Sequence, residues 1–301
     1  MAAAFITEYS TWPWDFHATS ILCVVIQISG ILFLKETRPK KLLHIRAEKL
    51  RKQTGNPNLR SELDDPEENW RNVMKRGLIR PFKMLGTQPI VQVLALYMAY
   101  IYGLTYLVHS TFPVLWTEHY GESSGIGGLN YLAIGLGYFL GVQITAPLND
   151  RFYKRLTKRN NGVGEAEFRI PLMNIGSVMI PIGFFMYAWT AQYRVHWIAP
   201  DIAAVIFSIG MIIIFQCTQT YIVDAYTQYA ASALAASTVI RSMAAFGFPL
   251  FAPYMYNALD YGWGNSLLAF IAIAIGIPSP LLLWVYGKKL REKSPYAAGG
   301  G

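Results

Sequence analysis

The sequence predicts an all-α integral membrane protein with about seven transmembrane helices. Long apolar runs with almost no charge fill most of the chain, and each is close to the roughly 20 residues that a helix needs to cross a bilayer core. The charged residues, only 15% of the chain, are crowded into the segments between these runs. Many Tyr and Trp residues stand near the ends of the runs, where the membrane–water interface favours amphipathic rings.

Seven runs carry this pattern, and the sixth is interrupted by one basic residue, Arg241. Gly and Pro occur inside several of them, which membrane helices tolerate better than soluble helices do. In the third run Gly137 and Gly141 form a G-x-x-x-G pair, which favours close contact between helices. The runs cover residues 16–34, 89–112, 128–148, 171–191, 198–223, 230–256 and 265–286.

The distribution of Lys and Arg predicts the orientation of the chain in the membrane. Fourteen lie within 35–88, six within 150–169 and four after residue 286, which leaves Arg194 on the opposite side and Arg241 within a run. Because short cytoplasmic loops are enriched in Lys and Arg, we expect these three segments in the cytoplasm. The N-terminus is then outside and the C-terminus inside, in a multi-pass protein that we expect in the plasma membrane.

The same pattern divides the chain into four segments. Residues 1–34 form a short extracellular start and the first transmembrane helix, which lacks the basic residues that precede the apolar core of a signal peptide. Residues 35–88 form a cytoplasmic loop, 89–287 a six-helix transmembrane bundle and 288–301 a cytoplasmic tail. Within the loop, 39–54 is predicted to form a basic amphipathic helix, either bound to the anionic inner leaflet or solvated as a linker.

Composition argues against several other classes of protein. A net charge of +8 is compatible with nucleic-acid binding, but the charge lies in loops between membrane spans, so no nucleic-acid partner is predicted. The two cysteines, Cys23 and Cys217, both lie inside apolar runs, which gives no disulfide framework and no metal-ligand cluster. The sequence also lacks a catalytic triad and a phosphate-binding loop. We therefore predict neither an enzyme nor a cofactor or metal ion.

A charged motif follows the third run on the cytoplasmic side. Asp150 and Arg151 are followed by Lys154 and Arg155, within the stretch Ala146-Pro147-Leu148-Asn149-Asp150-Arg151-Phe152-Tyr153-Lys154-Arg155-Leu156. This stretch resembles the loop signature G-x-L-x-D-R-x-G-R-K-x-L of the major facilitator superfamily, in the copy that joins the eighth and ninth helices. The two glycines of the signature are replaced here, while its charged core is kept. The alternative is an ordinary cytoplasmic loop that obeys the positive-inside rule.

Further stretches resemble the fungal drug:proton antiporter branch of that superfamily, of the polyamine and multidrug type. They include Phe33-Leu34-Lys35-Glu36-Thr37, Gln219-Thr220-Tyr221-Ile222-Val223-Asp224-Ala225-Tyr226, Phe248-Pro249-Leu250-Phe251 and Gly262-Trp263-Gly264-Asn265-Ser266-Leu267. The resemblance implies the C-terminal six-helix half of a major facilitator fold plus the preceding helix, that is, helices 6 to 12 of a twelve-helix plan. Helices 1 to 5 of that plan would be absent from this chain.

The resemblance also implies a function. A complete member exports small molecules such as drugs, polyamines or secondary metabolites by proton antiport across the lipid bilayer. Because alternating access needs two halves that rock around a shared site, we expect a second half-transporter or a homo-oligomer as partner, or else a truncated, inactive form. The alternatives are a seven-helix membrane receptor and a non-transporting regulatory membrane subunit.

Polar and aromatic residues within the spans are the candidates for a substrate cavity. Such residues are costly in lipid and usually face the bundle interior or a cavity. Aromatic and amide groups suit a bulky, partly apolar or cationic ligand. The alternative is that they hydrogen-bond with one another between helices. The candidates are Gln92, Tyr97, Tyr100, Tyr106, Asn130, Gln143, Asn174, Gln216 and Gln219.

Charged residues form a second set of candidates. Arg241 lies roughly ten residues inside its span, where a charge is usually functional. Asp224, at the end of the preceding helix, is the nearest acidic residue in sequence. We expect the two to form a gating or structural ion pair, unless Arg241 snorkels to the interface. The four charged residues of the loop motif are expected to act as a gate, because an Asp at a helix end can bind Arg in one state of a rocking transporter.

Overall fold

Helices account for all the regular structure in the part of the chain that the structure, a computed structural model, describes: residues 2–37, 39–61, 70–294 and 296. The helices are, in chain order, α1 (Ala2–Tyr9), α2 (Pro13–Phe33), α3 (Pro39–Thr54), α4 (Trp70–Thr87), α5 (Pro89–Val114), α6 (Ser124–Leu129), α7 (Tyr131–Arg159), α8 (Pro171–Gln192), α9 (Ile198–Ala225), α10 (Ala230–Ile271) and α11 (Pro278–Glu292). A 3-10 turn precedes α8, and π-helical turns follow α5 and α10; their bounds are Ala166–Arg169, Leu115–His119 and Ala272–Gly276.

Within the described residues, six helical stretches are long and apolar enough to cross a membrane. They are Pro13–Phe33, Pro89–His119, Ser124–Arg159, Ala166–Gln192, Ile198–Ala225 and Ala230–Glu292. The first stretch covers the first predicted run up to residue 33, the next four each contain one run, and the last contains two. The predicted all-α membrane class is therefore confirmed.

The last stretch is interrupted by a sharp bend at Asp260. Its 63 residues would make a rod of about 95 Å, roughly three times the hydrocarbon core, so it does not cross as one straight helix. The backbone leaves helical geometry at Asp260, with φ 53° and ψ −177°. Across the bend, the Tyr256 hydroxyl donates to Asn265 Oδ1 at 2.7 Å. Each limb on either side of Asp260 is long enough for a separate pass, so the seven passes that the sequence predicts stay a prediction compatible with these six stretches.

The described residues fall into two compact units, divided between residues 5 and 6 and between 77 and 78. The unit within 6–77 contains α2, which has no buried residue, and α3. The α3 helix occupies the range predicted for the basic helix, and its binding to a leaflet stays a prediction. The division into four segments also stays a prediction, and residues 38, 62–69, 295 and 297–301 of those segments lie outside the described residues.

The other unit contains the helical bundle. In it α5 packs against α10, and α9 packs against both α7 and α8. Buried rings connect three of these helices: Phe112 of α5 stacks on Tyr187 of α8 at 6.3 Å, and Phe184 of α8 stacks on Phe207 of α9 at 5.1 Å. All four side chains are almost fully buried, so they form a continuous apolar core between the helices.

Glycines let α9 approach its neighbours closely. On α7, a Cβ atom at Gly141 would overlap the Ile212 side chain. On α8, a Cβ atom at Gly176 would lie 2.8 Å from the carbonyl oxygen of Gly210. The contact predicted from the G-x-x-x-G pair Gly137 and Gly141 is therefore present, and it joins α7 to α9.

Gly141→Ala is expected to destabilise the bundle by roughly 1–3 kcal/mol, because the added methyl group forces α7 away from Ile212. Gly135→Ala is the matched control on the same helix. A Cβ atom at Gly135 meets nothing within 4 Å, and Ala is the better helix former. Thermal unfolding in detergent is measured for both purified variants. If Gly141→Ala unfolded at the same temperature as Gly135→Ala, the close contact would be contradicted.

Asp260→Gly is expected to raise the free energy of unfolding by about 1 kcal/mol, since this combination of φ and ψ strains every residue except glycine. Asn257→Gly is the matched control, because Asn257 is also exposed but has helical backbone angles. Glycine there should lower stability by a similar amount. The same unfolding assay applies, and a loss of stability in Asp260→Gly would argue against backbone strain at the bend.

Candidate functional site

Arg169 bridges two carboxylates at the end of the bundle that is predicted to face the cytoplasm. Its Nη1 donates to Asp150 Oδ1 and its Nε donates to Asp224 Oδ2, each at 2.8 Å. The guanidinium carbon also lies 4.2 Å from the centroid of the Tyr153 ring. Only 14% of the Arg169 side chain is exposed. The cluster therefore ties α7 and α9 to the 3-10 turn before α8.

The structure corrects the pairing of Asp224 with Arg241 that the sequence indicates. Arg169 comes from a turn next to the end of α9, whereas Arg241 lies in α10, about 16 Å along the axis from the start of that helix. Proximity in sequence gives no information on which helix ends meet in space. Asp224 is therefore a partner of Arg169, and its carboxylate is neutralised at the end of the bundle.

Only one of the four motif residues takes part in this cluster. Asp150 binds Arg169, while Arg151, Lys154 and Arg155 are exposed and form no ion pair with any described residue. The motif thus contributes one carboxylate to a contact between helix ends. Its action as a gate stays a prediction.

A second and more buried ion pair, which the sequence does not predict, includes a residue of the same turn. Glu167, only 4% exposed, accepts hydrogen bonds from Arg291 Nη2 at 2.9 Å and Nε at 3.2 Å. The Tyr221 hydroxyl also donates to it at 3.3 Å, so the pair joins α11 to α9. The sequence does hold a signal for this pair, because Glu165 and Glu167 stand close to Arg169 in one loop. The prediction of orientation uses only the positive charges of that loop.

An aromatic cavity of about 320 Å³ opens between α5, α7 and α9. Cavities of this size are at the lower end of the range for small-molecule sites. Two ring pairs stack in its walls, Tyr102 with Tyr106 and His109 with Tyr138, each at 6.1 Å between centroids. The lining residues are Ile101, Tyr102, Thr105, Tyr106, His109, Tyr138, Met211, Ile212 and Phe215.

Arg241, on α10, is not among the lining residues but contacts two of them. Its guanidinium carbon lies 4.3 Å from the centroid of the Tyr102 ring and 5.6 Å from that of Phe215. Its Nη2 donates to Thr238 Oγ1 at 3.3 Å. Contact with aromatic faces offsets part of the cost of a charge inside a span. The environment of Arg241 is therefore aromatic, where the sequence predicts a carboxylate.

His109 has one defined tautomer. Its Nδ1 lies 2.6 Å from the carbonyl oxygen of Thr105, and because a carbonyl can only accept, Nδ1 carries the proton and donates. The Tyr131 hydroxyl donates to the carbonyl oxygen of His109 at 2.7 Å, which fixes the backbone at this position. This leaves Nε2 as the ring nitrogen that can bind a ligand or a further proton.

Of the nine predicted cavity residues, Tyr106 is the one that lines this cavity. Tyr97 and Tyr100 lie on the same helix but are buried in the core. The Tyr97 hydroxyl hydrogen-bonds with Ser177 Oγ at 3.0 Å and donates to the carbonyl oxygen of Gly276 at 3.3 Å. The alternative of hydrogen bonding between helices thus describes Tyr97.

The remaining predicted residues carry amide side chains and are dispersed. Gln92 donates to the carbonyl oxygen of Leu85 at 2.8 Å, and Asn130 donates to Glu122 at 2.9 Å. The others form no side-chain hydrogen bond within the described part of the chain: Gln143, which is exposed, and Asn174, Gln216 and Gln219, which are half-buried. The structure does not gather these amides around the cavity.

The structure thus combines an all-helical membrane bundle, charged helix ends and an aromatic cavity between α5, α7 and α9. Residues 1–249 match the family model of the Major Facilitator Superfamily, so the chain belongs to that superfamily. The predictions of a non-enzymatic, multi-pass membrane protein and of this superfamily are thereby confirmed.

Its similar relatives are fungal transporters. The chain is 50% identical over 295 residues to the efflux pump vrtL of Penicillium aethiopicum, covering 98% of this chain and 58% of that protein. It is 45% identical over 293 residues to the efflux pump radE of Floropilus chiversii, covering 97% and 54%. It is 44% identical over 294 residues to an uncharacterized transporter of Schizosaccharomyces pombe, covering 98% and 60%. The chain thus spans little more than half the length of these relatives, and no solved structure matches it.

Arg169→Gln is expected to lower the free energy of unfolding by roughly 2–3 kcal/mol, because two carboxylates lose their shared cation. Adding Asp224→Asn to that variant should cost less than Asp224→Asn costs alone, since the two groups interact directly. Lys158→Gln, an exposed change near the same end, is the control and should have little effect. Unfolding in detergent compares these four variants with the unchanged protein, and strictly additive effects of the two changes at Arg169 and Asp224 would contradict the ion pair.

Proposed function

We propose that the protein exports small molecules across the membrane by proton antiport, along a path that includes the aromatic cavity. Its substrates belong to the classes that the sequence predicts, namely drugs, polyamines or secondary metabolites. The observation that carries the proposal is the cavity, with Arg241 stacked on the lining residue Tyr102, in a chain of a transporter superfamily.

The cavity supports the proposal of transport, because dense helix packing would normally fill such a space. Bundle interiors are normally filled to high density, and the neighbouring core around Phe112 and Phe184 follows that rule. The cavity instead keeps rings, hydroxyl groups and an imidazole around an open volume. Apolar walls with a few polar groups are what a small-molecule site requires.

The relatives support the direction of transport. Two of them, vrtL and radE, are named efflux pumps, and their similarity to this chain extends over almost all of it. Export is therefore the direction that we assign to this protein.

Proton antiport requires a group that gains and loses a proton along the path. Imidazole is the side chain that titrates nearest to neutral pH. His109 lines the cavity and has Nε2 available, so it is the proton-binding residue that we propose within the described part of the chain.

Alternating access requires two halves that rock against each other around a shared site. We propose that a second half-transporter or a second copy supplies the other half of the path. The cluster of Arg169, Asp150 and Asp224 joins helix ends through exposed or half-exposed carboxylates. Such contacts can form in one state and break in the other, which makes this cluster the proposed gate.

The proposed setting is the plasma membrane, with the N-terminus outside and the C-terminus in the cytoplasm. Its support is the bias of Lys and Arg toward three segments on one side. The seven-helix receptor and the regulatory subunit are the alternatives, and membership of a transporter superfamily favours transport over both.

The test is flux through reconstituted protein. Proteoliposomes receive this chain, alone or with the N-terminal half of a relative such as vrtL, together with a proton gradient and a panel of fluorescent drugs, labelled polyamines and aromatic acids. We expect gradient-dependent flux, and the double change Tyr102→Ala and Tyr106→Ala should lower it about tenfold through the loss of two ring contacts.

Tyr254→Ala is the matched control, since Tyr254 is an exposed α10 residue that does not line the cavity. Flux from the chain alone would favour a homo-oligomer, and flux only with the added half would favour a split transporter. Absence of flux in both preparations would overturn the transport proposal and favour a receptor or a regulatory subunit.

A further inference from the structure

The charge and the rings around the cavity point to a narrower class of ligand. We propose that the cavity binds planar aromatic compounds that carry a carboxylate or another acidic oxygen group, and that Arg241 pairs with that group. This rests on the proposed function, because it names the class of substrate for the same cavity.

The formal charge beside the cavity is positive. None of the nine lining residues is Asp or Glu. The guanidinium of Arg241 lies over Tyr102 and Phe215, which both belong to the lining. A charge of one sign beside a binding site favours ligands of the opposite sign.

The geometry of Arg241 leaves its donors available. Tyr102 and Phe215 contact the guanidinium through their ring faces. Of the five N–H groups, one has an acceptor within the described part of the chain, at Thr238 Oγ1. The other N–H groups lie in the guanidinium plane, and a carboxylate matches such a fork with two parallel hydrogen bonds. An anionic ligand would therefore complete the hydrogen bonding of Arg241.

The walls favour a planar ring beside that acidic group. Two stacked ring pairs lie in the walls, and aromatic ligands gain by stacking against or edge-on to such rings. The hydroxyls of Tyr102, Tyr106 and Tyr138 have no hydrogen-bond partner among the described residues, so each can donate to a further oxygen of the ligand. Phenolic and carboxylic oxygens both fit this pattern.

Organic cations are the competing class. A polyamine or a cationic drug would gain contact with the ring faces. It would find no carboxylate in the lining, and it would approach the positive charge of Arg241. The balance of contacts therefore favours acidic aromatic compounds, whereas the sequence predicts a bulky, partly apolar or cationic ligand.

The experiment compares three probes that share one ring system: naphthoate, naphthamide and naphthylmethylammonium. Binding to the purified chain in lipid nanodiscs is measured at neutral pH by calorimetry. Naphthoate should bind at least about tenfold more tightly than either of the other probes, which corresponds to one charge-assisted contact. Equal or tighter binding of the amide or the ammonium would overturn the proposal, and this comparison needs no variant.

Variants then assign the preference to Arg241. Arg241→Gln should abolish the preference for naphthoate, and Arg241→Lys should restore only part of it because the fork is lost. Arg159→Gln removes an exposed charge at the far end of α7 and should leave all three affinities unchanged. A folded Arg241→Gln protein that keeps the preference would overturn the role of Arg241.

Binding and flux can fail separately. Selective, Arg241-dependent binding of naphthoate without flux would overturn the proposed transport function and leave the ligand class standing. Flux of cationic substrates without any preference for naphthoate would overturn the proposed ligand class and leave the transport function standing.

Discussion

Lipid supplies no hydrophobic force between helices, so the bundle depends on how closely α9 can approach α7 and α8. Gly141 and Gly176 provide that approach, and a side chain at either would push α9 outward. Ile212, which faces Gly141, also lines the aromatic cavity. The spacing of these helices therefore sets the shape of the cavity, and through Asp224 at its end α9 also reaches the Arg169 cluster.

Two arginines of the bundle are stabilised in different ways according to their position. Arg169, at a helix end, binds two carboxylates that remain partly exposed to solvent. Arg241, inside a span, rests on Tyr102 and Phe215. Burying a carboxylate beside Arg241 would require the desolvation of a second charge. Aromatic faces stabilise the cation without that cost, and they leave its hydrogen-bond donors available to a ligand.

Hydropathy and charge were sufficient to predict the spans, because the bilayer imposes length and composition on each one separately. They also placed α3 at 39–54. The side-chain partners depend on how helices meet, which no single segment encodes. The sequence alone pairs Arg241 with the nearest acidic residue, Asp224. The true partner of Asp224 is Arg169, which lies in the turn that brings it back to α9.

The cavity was only partly predictable for a related reason. Residue type alone predicts Tyr97, Tyr100 and Tyr106 equally, but Tyr97 and Tyr100 are buried in the core. The spacing of Tyr102, Tyr106 and His109, at i, i+4 and i+7, marks a single face of α5. That periodicity is visible in the sequence. The sequence does not show which face of α5 borders the cavity, because that depends on the positions of α7 and α9.

The surroundings of Arg241 bear on how the chain is made. Translation produces α5 and α9 before α10, so the rings of Tyr102 and Phe215 are already present when the arginine enters the membrane. A lone arginine at the centre of a nascent helix costs about 3 kcal/mol on insertion scales. The aromatic rings are therefore synthesised before the arginine that they contact. Changes to Tyr102 or Phe215 would raise the cost of inserting Arg241 at the translocon as well as its cost in the folded bundle.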